Sequence, residues 1–146
     1  MSTQYVHETI RLLDCPSGAE YDEETFLYFL GLERASAERS NRPLPLLLAT
    51  LEPIRGIPVP IPPKSAAKLF GALKQSLRDT DIAGWYRQGQ VVGAVLRTRA
   101  DADEREASDI IERRIEAGLK ERLPSHVTRG LRVRVTQQGP QRIARG

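Results

Sequence analysis

Side chains of the kinds that carry out chemistry are few in this sequence and widely separated along it. The histidines His7 and His126 lie near opposite ends, and the single Cys15 can neither form an internal disulfide nor complete a Cys/His metal cluster with them. Glu24 and Glu52 could act as acid or base, but no convergent histidine or second acid supports that role. The residues alone therefore indicate neither a metal site nor a nucleophile–base pair, and we expect no cofactor.

Arginine dominates the basic residues. The chain of 146 residues has 22 Lys and Arg against 19 Asp and Glu, a formal charge of +3, and 18 of the 22 bases are arginine. A guanidinium binds phosphate, carboxylate or a guanine edge through paired hydrogen bonds, so the surplus fits anion recognition. A GC-rich genome produces the same bias, and composition alone favours that simpler explanation.

The charge is unevenly distributed along the chain. Residues 1–40 sum to −5 and residues 128–146 to +5. The basic end could contact RNA or anionic lipid, but no aromatic residue alternates with its arginines to stack on bases, so we do not expect a nucleic-acid partner. No apolar run approaches the ~20 residues of a membrane span, and the N-terminus lacks a basic-then-apolar signal pattern. We therefore expect a cytoplasmic chain with one domain.

The first half of the chain predicts a helix, a buried strand and an extended loop. From Asp22 onward the apolar residues follow helical spacing, namely Phe26, Phe29, Leu30, Leu32 and Ala37. Leu44–Leu51 is apolar on both faces, as is typical of a central strand. The segment 52–63 contains five prolines. That density predicts a polyproline-like loop, either a stiff connector or a docking ligand for a partner.

The second half predicts a helix, a hairpin, a long helix and a final strand. Ser65 can cap a helix that ends near Arg78. Ile82–Tyr86 and Val91–Leu96 have the length of strands joined by a polar turn, with Trp85 in the core. The inner stripe of the long helix is predicted to be Ala107, Ile110, Ile111, Ile115 and Leu119, and Leu131–Val135 follows as a half-buried strand. The order predicts an α+β domain with the helices packed on one face of the sheet.

With these residues in this order, the chain resembles the GGDEF domain, the ferredoxin-type palm of diguanylate cyclases. Phe26–Leu51 is similar to the first helix and strand of that family, Leu73–Leu96 to the helix and signature hairpin, and Ala102–Val135 to the following helix and final strand. The resemblance implies a mainly antiparallel sheet with helices packed against it. It spans residues 22–139, which leaves an N-terminal extension (1–21) and a basic C-terminal tail (140–146).

The departures from the family bear on its chemistry. The family's hairpin carries Gly-Gly-Asp/Glu-Glu-Phe, whereas the turn here is Arg87-Gln88-Gly89-Gln90-Val91, which has no carboxylate. Thr50 and Glu52 stand where the family has aspartates that bind two Mg²⁺. The Phe-Lys and Asn-Asp motifs, which bind phosphate and guanine in the family, fall in the proline segment. The resemblance therefore predicts no diguanylate cyclase activity.

The resemblance also points to a ligand site. Many GGDEF domains bind cyclic di-GMP at an inhibitory Arg-x-x-Asp placed five residues before the signature. Here Arg78 and Asp81 are followed by the five residues Ile82–Tyr86 and then by the turn. An arginine can pair with the guanine Hoogsteen edge or a phosphate, and an aspartate can accept from guanine N1 and N2. Family members add an arginine from the next helix, where Arg113 and Arg114 lie.

A structural alternative exists for the same residues. With 18 arginines and seven aspartates, about one Arg-x-x-Asp arises by chance. Arg78 could instead cap the C-terminus of its helix and pair with a neighbouring acid. The spacing to the hairpin is what favours the ligand site.

These expectations combine into one leading hypothesis and one alternative. The leading hypothesis is a catalytically inactive GGDEF-like regulatory domain of a bacterial cytoplasm. It would receive cyclic di-GMP through Arg78 and Asp81, aided by Arg113 or Arg114, and signal to a protein partner or in a homodimer. The alternative is a nucleotide-free module for protein–protein interaction or dimerisation that retains the fold.

Overall fold

The computed structural model describes residues 20–78, 81–96 and 104–138. The predicted basic tail and all but the last two residues of the predicted N-terminal extension lie outside these ranges. The elements in chain order are α1 (Glu23–Ser40), β1 (Pro45–Ile54), β2 (Ile57–Val59), α2 (Pro63–Ser76), β3 (Ile82–Arg87), β4 (Val91–Val95), α3 (Glu104–Arg122), α4 (Ser125–Thr128) and β5 (Leu131–Gln137).

The sheet is built around β1. This strand pairs antiparallel with β4 and with β5, and β4 pairs antiparallel with β3. Leu51 pairs with both Val59 of β2 and Leu131 of β5, so β2 and β5 lie on opposite edges of β1 and β2 continues the line of β4. Together with α2 between β1 and β3, and α3 between β4 and β5, this is the split βαβ arrangement of ferredoxin-like folds. The central position predicted for 44–51 is confirmed.

The two faces of the sheet carry separate apolar clusters. On one face, α2, α3 and the β-strands enclose a cluster that contains Phe70, Trp85, Ile115 and Leu119. On the other face, α1 packs through Phe26, Leu30 and Ala37 against Leu46 and Val95. The expectation of helices on one face only was therefore wrong. Leu46 and Leu48 alternate with Leu47 and Ala49, so β1 presents apolar side chains to both sides and requires a helix on each.

The first helix begins and ends where its sequence dictates. The Asp22 carboxylate accepts a hydrogen bond from the Thr25 amide at 2.9 Å, which caps the N-terminus. Asn41 ends the helix in the left-handed conformation, with φ of 52°. Glycines at 84 and 93 let the helix approach the sheet, because a Cβ added at Gly93 would lie 2.9 Å from the Phe26 ring.

The proline-rich segment forms a β-hairpin and not the polyproline-like loop predicted from composition. β1 extends to Ile54, the chain turns at Gly56 with φ of +86°, and β2 returns alongside β1. Proline is tolerated here because β2 is an edge strand and Pro53 lies beyond Leu51, the last β1 residue paired with β5. Only residues 60–62 retain the character of a connector.

Three local predictions were also wrong. Ser65 lies inside α2, which begins at Pro63, because proline suits the first helical turn, where its missing N–H costs nothing. Leu32 is 49% exposed and Ile110 is 57% exposed. At 100° per residue, Leu32 lies about 200° from the buried Leu30, and Ile110 lies about 140° from the buried Ile115.

Candidate ligand site and signature turn

The turn that replaces the family signature joins β3 to β4 beside the end of β1. Gly89 has φ of +76°, and the Gln90 amide donates to the Arg87 carbonyl at 2.9 Å, so the chain reverses in a tight turn. Ala49 pairs with Val92, which places the turn next to Thr50 and Glu52. The turn and the end of β1, which the resemblance assigns to one site, are therefore neighbours in the sheet.

The turn is held from two sides. The Gln88 amide donates to Oε1 of Glu23 at 2.7 Å, and the Glu23 amide donates to Oε1 of Gln88 at 3.0 Å. On the other side, the Ile61 amide donates to the Gly89 carbonyl at 2.8 Å. Sequence reasoning did not identify these contacts, and the 65 residues between Glu23 and Gln88 leave no local pattern from which to predict them.

Glu52 is the one acid at the end of β1, and protein groups surround its carboxylate. The Thr50 hydroxyl donates to Oε2 at 2.8 Å, and the Gly56 amide donates to Oε1 at 3.2 Å. Nε of Arg132 lies 3.6 Å from Oε1, and the Glu52 side chain is 6% exposed. The carboxylate is therefore a structural anchor that joins the start of the β1–β2 hairpin to β5.

The environment of Glu52 favours its ionised form. The hydrogen bond from Thr50 lowers the pKa of this carboxyl most, and burial opposes that effect by raising it. The Gly56 amide and the guanidinium groups of Arg132 and Arg134 lower it further, so the pKa lies below its ordinary value. In the part of the chain that the structure describes, no three His, Cys, Asp or Glu side chains are grouped to hold a metal ion.

Arg78 and Asp81 lie at the opposite end of β3 from the turn. The Asp81 carboxylate accepts from the Arg78 amide at 2.9 Å, and the Asp81 amide donates to the Arg78 carbonyl at 3.0 Å. Both bonds involve the Arg78 backbone, and its side chain is exposed. The local structure therefore presents the guanidinium outward, next to a half-buried carboxylate.

The helix that follows the hairpin brings a further arginine to this end of the sheet. A Cβ added at Gly118 would lie 3.0 Å from Oγ of Ser76, and Nε of Arg122 donates to Oε1 of Gln75 at 2.9 Å. The side of α3 that carries residues 118 and 122 thus faces the end of α2. Arg114 lies about 40° from Gly118 around the helix and shares that side, whereas Arg113 lies about 140° from Gly118.

The direction of the helices extends this relationship to Arg78. Because β1 and β3 run opposite to β4 and β5, the connecting helices α2 and α3 are antiparallel. The chain that leaves α2 after Ser76 therefore heads toward the earlier turns of α3, where Arg114 lies. Of the two arginines that the resemblance offered, Arg114 is the one on the side of α3 that faces α2.

The comparisons with known proteins agree with this architecture. The chain is similar to the GGDEF domain of PA1120 (TpbB or YfiN) from Pseudomonas aeruginosa, with a TM-score of 0.60 and 14% identity, over 82% of this chain and 72% of that one. It is also similar to the diguanylate cyclase SiaD of the same organism, solved in complex with its activator SiaC, with a TM-score of 0.63 and 14% identity. That match covers 99% of this chain and 56% of SiaD, so the chain spans just over half of SiaD's length.

By sequence, no protein-family model and no curated protein matches the chain. No helix in the described ranges is both long and apolar enough to cross a membrane. The fold that the residues predicted is nevertheless the fold of these two solved structures. The chain therefore folds as a GGDEF-like domain.

Proposed function

We propose that this chain is a catalytically inactive GGDEF-like signalling domain that binds cyclic di-GMP at Arg78, Asp81 and Arg114. The observation that carries the proposal is the contrast between the two ends of β3. At one end the signature turn is closed by protein contacts, and at the other the exposed Arg78 is hydrogen-bonded through its backbone to Asp81, while the exposed Arg114 lies on the side of α3 that faces α2.

The closed turn supports the absence of turnover. In the family that this chain resembles, the glycines of the signature admit the nucleotide against the turn. Here the Gln88 amide already donates to the Glu23 carboxylate at 2.7 Å, and the Gly89 carbonyl already accepts from the Ile61 amide at 2.8 Å. A nucleotide would have to displace α1 or the segment after β2 to reach these groups.

The surroundings of Glu52 support the same conclusion. Two-metal phosphoryl transfer needs several carboxylates to hold the ions, and the end of β1 offers one. That carboxylate already receives the Thr50 hydroxyl, the Gly56 amide and the charge of Arg132. These residues do not fit a pair of Mg²⁺ ions, so we derive no catalytic step through them.

The activity assay follows directly. Purified chain incubated with GTP and Mg²⁺ or Mn²⁺ should produce no cyclic di-GMP above a blank, while a diguanylate cyclase run in parallel produces it. Formation of cyclic di-GMP by this chain, lost on Glu52→Gln, would contradict the inactivity.

The ligand site rests on the opposite end of β3. The guanidinium of Arg78 forms no hydrogen bond or ion pair with the other residues that the structure describes, and the Arg114 side chain is likewise exposed. We assign the acceptor for guanine N1 and N2 to the Asp81 carboxylate, which also accepts a hydrogen bond from the Arg78 amide. Two cations and one acceptor match the phosphates and the guanine base of the ligand.

Calorimetry with a matched control tests the site. Removing one charge-assisted arginine contact costs about 1.5–3 kcal/mol, so Arg78→Ala and Arg114→Ala should each weaken cyclic di-GMP binding by about tenfold or more. Arg129→Ala is the control, because Arg129 is exposed just before β5, at the other end of the sheet. The proposed site would be contradicted if the wild-type chain showed no heat of binding with cyclic di-GMP, or if Arg78→Ala bound it with unchanged affinity.

A nucleotide-free interaction module is the second candidate function. SiaD was solved with a protein activator, and the described residues of this chain leave large apolar side chains exposed at Leu32, Ile54, Ile57 and Ile110 among others. This function predicts that a protein partner binds with the same affinity with and without cyclic di-GMP. The receptor function predicts that the nucleotide changes that affinity.

A further inference from the structure

The helix α1 is apolar on two sides. Its inner side buries Phe26, Leu30 and Ala37 against the sheet. Its outer side exposes Leu27, Tyr28 and Leu32, which are half of the large exposed hydrophobic residues among those the structure describes, and Tyr28 is 60% exposed. A helix that covers only a sheet needs one apolar side, so the second one requires another explanation.

Exposed residues recur at helical spacing along the outer side of α1. Glu24, Tyr28, Gly31, Ala35 and Arg39 are all exposed and recur at spacings of four, three, four and four, which places them on one line along the helix. We name these five residues, together with the adjacent exposed Leu32, the α1 outer stripe. The stripe has an acid, Glu24, at its N-terminal end and a base, Arg39, at its C-terminal end. Its small residues, Gly31 and Ala35, lie between the middle and the C-terminal end.

We propose that the α1 outer stripe is a dimerisation surface that binds the same stripe of a second copy of this chain, antiparallel about a two-fold axis between Gly31 and Leu32. In this register each large side chain meets a small one, because Tyr28 faces Ala35 of the second copy and Leu32 faces Gly31. Glu24 faces Arg39 of the second copy, and the two-fold axis repeats every contact. The line of contact runs along the side of α1 opposite the sheet, and α2 and α3 pack on the other face of the sheet.

Charge complementarity identifies the occupant. An antiparallel copy places the acidic start of one helix against the basic end of the other and also sets the helix dipoles in opposition. A parallel copy would place Glu24 against Glu24. A surface of anionic lipid is disfavoured, because α1 carries four acids (Glu23, Glu24, Glu33 and Glu38) against two arginines.

The size of the surface sets the expected strength. One helix face of about four turns is smaller than the roughly 800 Å² per partner of a standard stable interface. We therefore expect a dimer that dissociates in the micromolar range or above. The surface lies on the face of the sheet opposite α2 and α3, so pairing does not depend on the ligand site at Arg78 and is tested without nucleotide.

A charge-exchange experiment tests the register. In sedimentation equilibrium of the full chain, up to on the order of 1 mM, wild type should dimerise, and Glu24→Arg alone or Arg39→Glu alone should each weaken the dimer about tenfold, because each places two pairs of like charges in contact. An equimolar mixture of the two variants should recover dimers at wild-type strength or above, since every charge in the mixed pair then meets its opposite. The double variant should recover in the same way.

An apolar pair of variants controls for general surface effects. Tyr28→Glu should abolish dimerisation, whereas Ile110→Glu, which replaces an exposed apolar residue on α3, should leave it intact. Both positions are exposed, so both variants should retain the wild-type far-UV spectrum and melting temperature. A monomeric wild type over the whole concentration range would overturn the proposal, and so would a mixture of the two charge variants that stays monomeric. If the nucleotide binds but no dimer forms, the ligand site stands and only this inference fails.

Discussion

Glu23 and Gln88 exchange a reciprocal pair of hydrogen bonds that ties the first turn of α1 to the turn between β3 and β4. Each backbone amide donates to the other residue's side chain, at 2.7 and 3.0 Å. The bond from the Glu23 amide satisfies one of the donors that a helix N-terminus leaves unpaired. The arrangement therefore stabilises the helix end and fixes the turn in one step.

The first prediction concerns the cost of breaking this pair. Gln88→Ala should lower the free energy of unfolding by about 1 kcal/mol, because it leaves the Glu23 amide without its side-chain acceptor. Gln90→Ala on the same turn is the matched control, with an expected change within about 0.5 kcal/mol, since its ordered contact is a backbone bond to Arg87. Urea denaturation followed by circular dichroism measures both, and equal losses would show that the pair does not stabilise the turn.

The second prediction concerns the glycines beneath α1. A Cβ at Gly93 would lie 2.9 Å from two atoms of the Phe26 ring and 3.2 Å from Cβ of Tyr86, so Gly93→Ala should destabilise the fold by about 1–3 kcal/mol. Gly71→Ala is the control, because the same methyl at that position in α2 meets nothing within 4 Å. There, alanine should stabilise the helix by up to about 1 kcal/mol. Thermal melts that rank the two variants the other way would contradict the packing of α1.

The third prediction concerns the pH dependence contributed by Glu52. Its pKa is lower in the folded chain than the ordinary 4.5, so its contribution to stability is complete above that value and is lost as the pH falls through the folded-state pKa. Glu52→Gln should melt at a lower temperature than wild type near pH 7, and the difference should shrink as the pH drops below 4.5. If the difference in melting temperature between wild type and Glu52→Gln stayed constant as the pH fell below 4.5, the ionised carboxylate would not be what holds the β1–β2 hairpin to β5.

The strands and the order of the elements could be predicted from the sequence because local patterns encode them. Apart from Thr50, Leu44–Leu51 is apolar on both sides, and this pattern fits a strand with helices on both faces. The polar residues with Gly89 mark the hairpin turn in the same way. The resemblance to GGDEF domains follows from this order, and two solved structures with the same fold and 14% identity confirm it.

The features that could not be predicted depend on distant residues. Proline is incompatible with a central strand but is tolerated in an edge strand. Residues 57–59 form an edge strand because Val59 pairs with Leu51, and the local sequence does not encode that tertiary pairing. The contacts that close the turn join Glu23 and Ile61 to residues far along the chain. Our proposal of Arg114 over Arg113 uses Ser76 and Gly118, whose close approach shows which side of α3 faces α2.

The central claim is that cyclic di-GMP binds at the start of β3 while the signature turn stays closed. A titration of ¹⁵N-labelled chain with cyclic di-GMP, followed by amide chemical shifts, tests both parts at once. We expect saturable shifts at Arg78, Asp81 and Arg114, with the amide shifts of Gln88 and Gly89 unchanged. Shifts centred on Gln88 and Gly89, or a spectrum that does not respond to the nucleotide, would contradict it.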